Sequence, residues 1–311
     1  MAIVQNDTGV WQTLDGHTVA PGDVCECTEV EATNLSRCGW TIVSDSDRNG
    51  GRGTLTRIAG KRGAILETVS PYNALETYYK DSSIGLPKPT KPYEYGRSLV
   101  YPMACNDSIG DCTVAGIVHL AQIAALICGV KYVYPGDAVV KSFYYGLTGG
   151  QDTGLQLSQV ISAVSKPNPL GFELCGAATV NTSDYALMST VCWNFGGLYL
   201  AADIPESSED DFERYLPWRL KDPPEQPIGG HCFVGNGVAP DLPANNPVNT
   251  KLLDIVTWGA TTECTVDWWQ YYGIQAYVLL FKWFVTSGHD AIQHLDDAQM
   301  LADLRQIQSA R

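Results

Sequence analysis

Apolar residues crowd together over CTVAGIVHLAQIAALICGV, and this run predicts a buried helix that opens at Cys112. Helical character recurs near residues 137–147 and 155–165. Further along, the pattern turns strand-like, through GGLYLAADI, GGHCFVGNGVA, KLLDIVTWGA and QAYVLLFKWF. Helices first and strands after, in one chain, argue for an α+β fold. The end of the chain, HLDDAQMLADLRQIQ, predicts a last amphipathic helix with Leu301, Leu304 and Ile307 on one side. No internal repeat stands out, and no stretch of about 18 apolar residues offers a membrane span.

The first third of the chain has a different texture. Within HTVAPGDVCECT, Pro21-Gly22-Asp23 is a turn signal, followed by alternation through Val24, Glu26 and Thr28. EVEATNLSRCGWTIV then predicts a short helix that Gly39 ends and a strand at Trp40–Val43. Residues 1–43 are expected to form a small β-rich module. Residues 44–95 are expected to form an arm. DRNGGRGTLTRIAGKRG combines glycines with the basic residues Arg48, Arg52, Arg57, Lys61 and Arg62, and glycine raises the entropy of an untethered chain. Pro87, Pro89 and Pro92 give a stiff approach to the next domain. The expected divisions are 1–43, 44–95, 96–285 and a helical tail over 286–311.

Charge separates these parts further. Residues 1–100 carry 10 basic and 12 acidic residues, whereas residues 101–311 carry 10 and 22. An acidic surface of this kind repels nucleic acid, so neither nucleic acid nor membrane is expected as a partner. The basic arm is the part suited to an acidic partner surface. The ten cysteines include no CxxC pair, and several lie in apolar runs, as Cys128 and Cys192 do. With MAIVQNDTGVW at the N-terminus and no basic start before an apolar run, no secretory signal is expected. Reduced thiols in a reducing compartment follow. Cys25 and Cys27 share a strand face and read as filler.

Chemistry concentrates at Cys112. A thiol attacks as thiolate, and a helix start favours thiolate while offering backbone N–H to an oxyanion. Asn106 lies six residues upstream, with Gly110 between, and its amide is a candidate second oxyanion donor. Far downstream, His231 sits in Gly229-Gly230-His231-Cys232-Phe233, where glycines leave room beside a strand. Val256-Thr257-Trp258-Gly259 ends a later strand. This order of helix-start Cys, Gly-His strand and Trp-Gly strand resembles papain-like cysteine peptidases over nearly 190 residues. More narrowly it resembles a bacterial and phage group with "ND-x-x-GDCT", "GGH" and "VTWG" motifs. The resemblance implies a papain-like fold, with a helical half and an antiparallel β half, and no cofactor. It implies Cys112 as nucleophile, His231 as base, Asn106 as oxyanion donor and Trp258 as the shield beside the histidine.

One role does not carry over. Papain-like peptidases place Asn where this chain has Val256, which cannot accept a hydrogen bond from imidazole. Asp254, two residues back on the same strand face, is the candidate replacement. The "PGD(V)" turn, acidic helix and "GW" exit of the N-terminal module resemble small modules of tailed-bacteriophage head proteins. Together these readings give a capsid-associated, decoration-type protein of the virion, assembled in the host cytoplasm. Its partners would be capsid or other virion proteins, in many copies, with the papain-like domain as cargo. The alternative is an active cysteine peptidase or amidase with a peptide substrate, and a third reading is a cytosolic binding module.

Other candidates lead elsewhere. His119 shares a helix face with Cys112 but stands about 10.5 Å along the axis, so it is expected in the core. His289 and His294 are five apart, which misses the i,i+4 spacing of a helical metal pair, and no metal is expected. Trp268 and Trp269 are expected to pack internally.

Overall fold

The computed structural model describes residues 57–67, 69–81, 85–89, 93–237 and 253–309 in full, together with the backbone of the strands named below. The chain divides into two compact units, Met1–Ile58 and Ala59–Arg311. In the first unit β1 (Ala2–Asn6) lies between β4 (Val24–Cys27) and β5 (Trp40–Val43) in an antiparallel sheet. Strands β2 (Gln12–Leu14) and β3 (His17–Val19) pair as a hairpin. The expected strands at Val24 and Trp40 are therefore present. The Pro21-Gly22-Asp23 turn, the short helix before Gly39, Arg48 and Arg52 lie outside the described residues.

The second unit has the helical half and the antiparallel half of the expected α+β class. Its helical side holds α1 (Cys112–Ile127), α2 (Asp137–Thr148) and α3 (Leu157–Val164). After β6 (Leu174–Thr179) and α4 (Tyr185–Phe195), the chain enters β7 (Leu198–Pro205) and α5 (Glu206–Glu213). Then come β8 (Pro227–Val238), β9 (Leu252–Thr257), β10 (Ala260–Thr265), α6 (Val266–Tyr272) and β11 (Gly273–Phe281). The short α7 (Lys282–Thr286) and the terminal α8 (Asp297–Ser309) complete the unit. The six strands run β10-β9-β8-β7-β11-β6, each antiparallel to its neighbours.

Helix α1 is buried almost all round, as its unbroken apolar run requires. It lies on β7 and β8, and a Cβ on Gly116 would meet Cys232 Sγ at 3.1 Å and Tyr199 at 3.3 Å. The missing side chain is what lets helix and sheet approach so closely. This contact brings the start of α1 to the strand that carries His231.

Residues 59–95 differ from the expected arm. The described residues among them belong to the same unit as 96–311, with Tyr72, Leu75, Tyr78 and Leu86 buried. Tyr78 donates to Asp303 of α8 at 2.8 Å, and Ser158 of α3 donates to Glu67 at 2.6 Å. The glycine-rich composition signals flat backbone contact, and the apolar residues that follow supply the burial. The tail is likewise no separate part, since α8 lies against β6 with Met300 and Leu304 buried.

Candidate active site

Local folding explains how each side chain arrives. Asp111 precedes the helix and Cys112 opens it, so the thiol stands at the positive end of the helix dipole. Ala104 and Cys105 take left-handed backbone angles, φ 56° and 70°, just before Asn106. That turn carries Asn106 into the interior, where it is buried. Strand β8 holds His231 opposite Ala202 of β7. Strands β9 and β10 are joined by the two-residue turn Trp258-Gly259, both residues at positive φ (44° and 71°), the geometry that suits a tight hairpin. The turn lays the Trp258 ring on His231 with centroids 4.4 Å apart and planes 29° apart. Trp258 therefore lies where a shield over the imidazole would lie.

Cys112 and His231 are both fully buried. Backbone hydrogen bonding from Cys232, Gly63 and Thr113 works to lower the Cys112 thiol. Cys232 is the residue next to His231, so the backbone of β8 passes beside the start of α1, with the Cys232 side chain toward Gly116 and the His231 ring against Trp258 and Phe233. His231 Nε2 is 2.7 Å from Thr257 Oγ1, while Nδ1 has no hydrogen-bond partner. With Nε2–H donating to the threonine oxygen, Nδ1 carries the lone pair. Val256 is buried opposite Val234 and makes no polar contact with the ring.

Asp254 does not serve as the replacement. It lies opposite Gly237 on β8 and Glu263 on β10, six residues along β8 from His231, or about 20 Å at strand rise. Burial, reinforced by Glu94 and Glu263, pushes its carboxyl up to about 7. The orienting contact comes instead from Thr257, one residue beyond Val256. Nothing in the alternation of β9 marked it, because its hydroxyl reaches a ring on the neighbouring strand.

The cleft between the helical and β halves is filled by the chain itself. Lys61 N–H donates to the Asn106 carbonyl, and Asn106 Nδ2 donates back to the Lys61 carbonyl at 2.7 Å. Gly63 contributes backbone hydrogen bonding to the Cys112 thiol. The Gly63 carbonyl accepts from Leu155 N–H at 2.9 Å, and Ile65 N–H donates to the Leu155 carbonyl at 2.9 Å. Ala64 N–H donates to the carbonyl of Gly230 at 3.1 Å. A Cβ on Gly63 would stand 1.7 Å from the Gly110 carbonyl oxygen. Only glycine fits there. The carbonyl beside the sulfur is thus committed to Leu155, while the Asn106 amide is occupied by Lys61. Nucleophile and amide address different peptide groups, so the strap fills the cleft without presenting a bond for attack.

Burial sets the electrostatics of this covered state. It pushes the Cys112 thiol up to about 12, against the pull of that backbone hydrogen bonding. It depresses His231 to about 3, with the Arg62 charge adding to the effect. Both groups are neutral near pH 7, and the thiolate–imidazolium pair is absent while the strap is in place. Asp111, beside Cys112, is raised to about 8 by the same burial.

Two of the five basic residues expected to meet an outside partner, Lys61 and Arg62, are paired within the chain. Lys61 Nζ lies 3.7 Å from Asp152. Arg62 Nε lies 3.0 Å from Glu209, and its Nη1 donates to the Ile228 carbonyl. Charge complementarity operates within the chain, between basic strap and acidic cleft walls. Arg57 belongs to the first unit.

The remaining candidates behave as packing residues. His119 bonds the Pro102 carbonyl at 2.7 Å and meets Tyr101 edge-on; burial lowers it to about 4. Trp268 and Trp269 are buried, with indole N–H groups on Ser208 and Thr182. Every cysteine with a described side chain is a free thiol. Among the described residues no group of His, Cys, Asp and Glu is arranged to hold a metal, and no helix is long and apolar enough to cross a membrane.

Comparison with solved structures finds similarity to cysteine proteases and their precursors. The chain is similar to xylellain, a cysteine protease from Xylella fastidiosa, at 13% identity and TM-score 0.49, covering 72% of this chain and 97% of that one. It is similar to procathepsin B S9 from Trypanosoma congolense at 8% identity and TM-score 0.49, over 82% and 99% of the two chains. Digestive procathepsin L 3 of Tenebrio molitor larval midgut follows at 12% identity and TM-score 0.38, over 73% and 76%. No family model and no curated protein matches the chain.

Proposed function

We propose that residues 59–311 form a cysteine hydrolase of papain type, held closed by its own strap over residues 59–65. The observation that carries this reading is His231. Its Nε2 is fixed by Thr257, its Nδ1 has no partner, and its strand packs on the helix that the buried Cys112 opens. With the strap withdrawn, water reaches the site, which lowers the thiol and raises the imidazole toward a thiolate–imidazolium pair. The Cys112 sulfur then attacks a substrate carbonyl whose oxygen takes the Asn106 amide now held by Lys61. His231 passes its proton to the leaving amine, and a water deprotonated by His231 releases the acid from the thioester.

The test compares the full chain with its Gly63→Ala and Cys112→Ala forms on a mixture of quenched fluorescent peptides. Hydrolysis that appears with Gly63→Ala and vanishes when Cys112→Ala is added is the expected result. Turnover that survives loss of the thiol would remove Cys112 from the mechanism.

We propose carriage on a phage particle as a second reading, resting on the resemblance of residues 1–43 to small modules of tailed-bacteriophage head proteins alone. With Lys61 and Arg62 engaged in the cleft, attachment falls to the first unit. Co-sedimentation with particles at fixed stoichiometry, lost on deleting residues 1–58, is the expected outcome. A 59–311 fragment that sediments as well as the full chain would dismiss it.

A further inference from the structure

The strap shows what the cleft accepts. Arg62 adjoins Gly63, which packs on the Gly110 backbone two residues before Cys112, so its side chain occupies a subsite close to the nucleophile. That side chain turns toward the β half. Its Nε meets Glu209 at 3.0 Å and its Nη1 meets the Ile228 carbonyl. Ile228 and Gly229 stand just before His231 on β8, so this is the side on which a leaving amine would receive its proton. With the strap in place the seat adjoins an open pocket of about 530 Å³, lined by residues 60–65 of the strap together with Thr153, Glu209 and Gly230.

Glu209 is suited to a cation by more than position. It lies on α5 among Glu206, Asp210 and Glu213. Burial and these carboxylates raise its proton affinity, and the Arg62 guanidinium works against them. Removing Arg62 with the strap leaves a half-buried carboxylate and a backbone carbonyl, two acceptors spaced for one guanidinium. Gly229, at φ 150°, adds no side chain to the seat, and a Cβ there would stand 3.4 Å from Arg62 Nη1.

We propose that Glu209 and the Ile228 carbonyl form a subsite for a basic side chain on the leaving-group side of the scissile bond, making the preferred substrates arginine- or lysine-containing peptides. This inference deepens the hydrolase reading and rests on it for turnover, but the binding site can be tested apart from catalysis.

The experiment uses the full-length Gly63→Ala chain with and without Glu209→Gln. Its first arm measures kcat/KM for two peptide sets that differ in having Arg or Gln just after the cleaved bond. Its second arm measures binding of the strap peptide AGKRGAIL and of its Arg-to-Glu analogue by fluorescence anisotropy. Arg over Gln by about tenfold or more, a ratio that falls toward one with Glu209→Gln, is the expected result. A similar loss of affinity for the analogue should accompany it. Discrimination in binding without hydrolysis would uphold the subsite and dismiss the hydrolase. Hydrolysis with a ratio near one, or a ratio insensitive to Glu209, would dismiss the subsite and leave the hydrolase standing. Indifference of both arms to the arginine would overturn the proposal outright.

Discussion

A single hydroxyl decides how His231 is held. Thr257 Oγ1 is 2.7 Å from Nε2, and replacing it by a methyl in Thr257→Val keeps the volume while removing the contact. Orienting groups of this kind contribute up to about 10⁴ in rate. Thr257→Val should therefore lower kcat of the proposed hydrolase, once uncovered, at least tenfold, with circular dichroism unchanged. Asp254→Asn should leave kcat where it is, since the carboxyl stands about 20 Å along the sheet from the ring. Its effect belongs to stability. The Asp254 carboxyl rises from 3.8 to about 7 on folding, so the folded state holds a proton that the unfolded state has released. Its cost is absent below pH 3.8, grows as pH rises, and is complete above about 7. Asp254→Asn should raise the urea midpoint at pH 8 and leave it nearly unchanged at pH 4. A constant difference across that range would mean packing, not charge. Cys112 was legible as a helix start from its place at the head of an apolar run, and the strand of His231 from its glycines and the apolar residues after them. Thr257 was not, because a hydrogen bond between neighbouring strands leaves no mark on either strand's alternation.

The strap is the element the sequence pattern described least well. Glycines and basic residues read as a solvated arm, and both features had a second meaning. The glycines let two backbones touch, as at Gly63, where a Cβ would stand 1.7 Å from the Gly110 carbonyl. The basic residues answer Asp152 and Glu209 across the cleft. Composition cannot separate a mobile arm from one bound to its own chain, since the acids that bind it lie more than 90 residues away. Elements with a strong local pattern, whether the unbroken apolar run of α1 or the period of α8 and of the strands holding Trp40 and His231, needed no distant partner to be recognised. Strand β6 and helices α4 and α5 went unread because burial from both sides or an acidic surface blurs the period. Gly63→Ala should push the strap off the sulfur. The rate of Cys112 alkylation by iodoacetamide at pH 7, slow in a thiol raised to about 12, should then rise at least tenfold. Equal rates in both proteins would mean that the alanine is accommodated in place.

At the scale of the whole chain, the boundary at Ile58 separates what can be removed from what cannot. Deleting residues 1–58 should leave a soluble, cooperatively unfolding protein. Deleting residues 1–95 removes Tyr72, Leu75, Tyr78 and Leu86 from the core, each worth roughly 1.5–3 kcal/mol of burial. That loss is comparable to the whole stability of an ordinary domain, and the 96–311 fragment should be insoluble or molten. A sharp unfolding transition in that fragment would show that residues 59–95 are only a covering. Because the strap and the cleft belong to one polypeptide, the strap's effective concentration at the sulfur is set by its tether, on the order of millimolar for short connections. Dilution cannot lower it. A peptide present at micromolar levels meets a competitor that never diffuses away, so the onset of hydrolysis should follow first-order kinetics with a half-time independent of protein concentration.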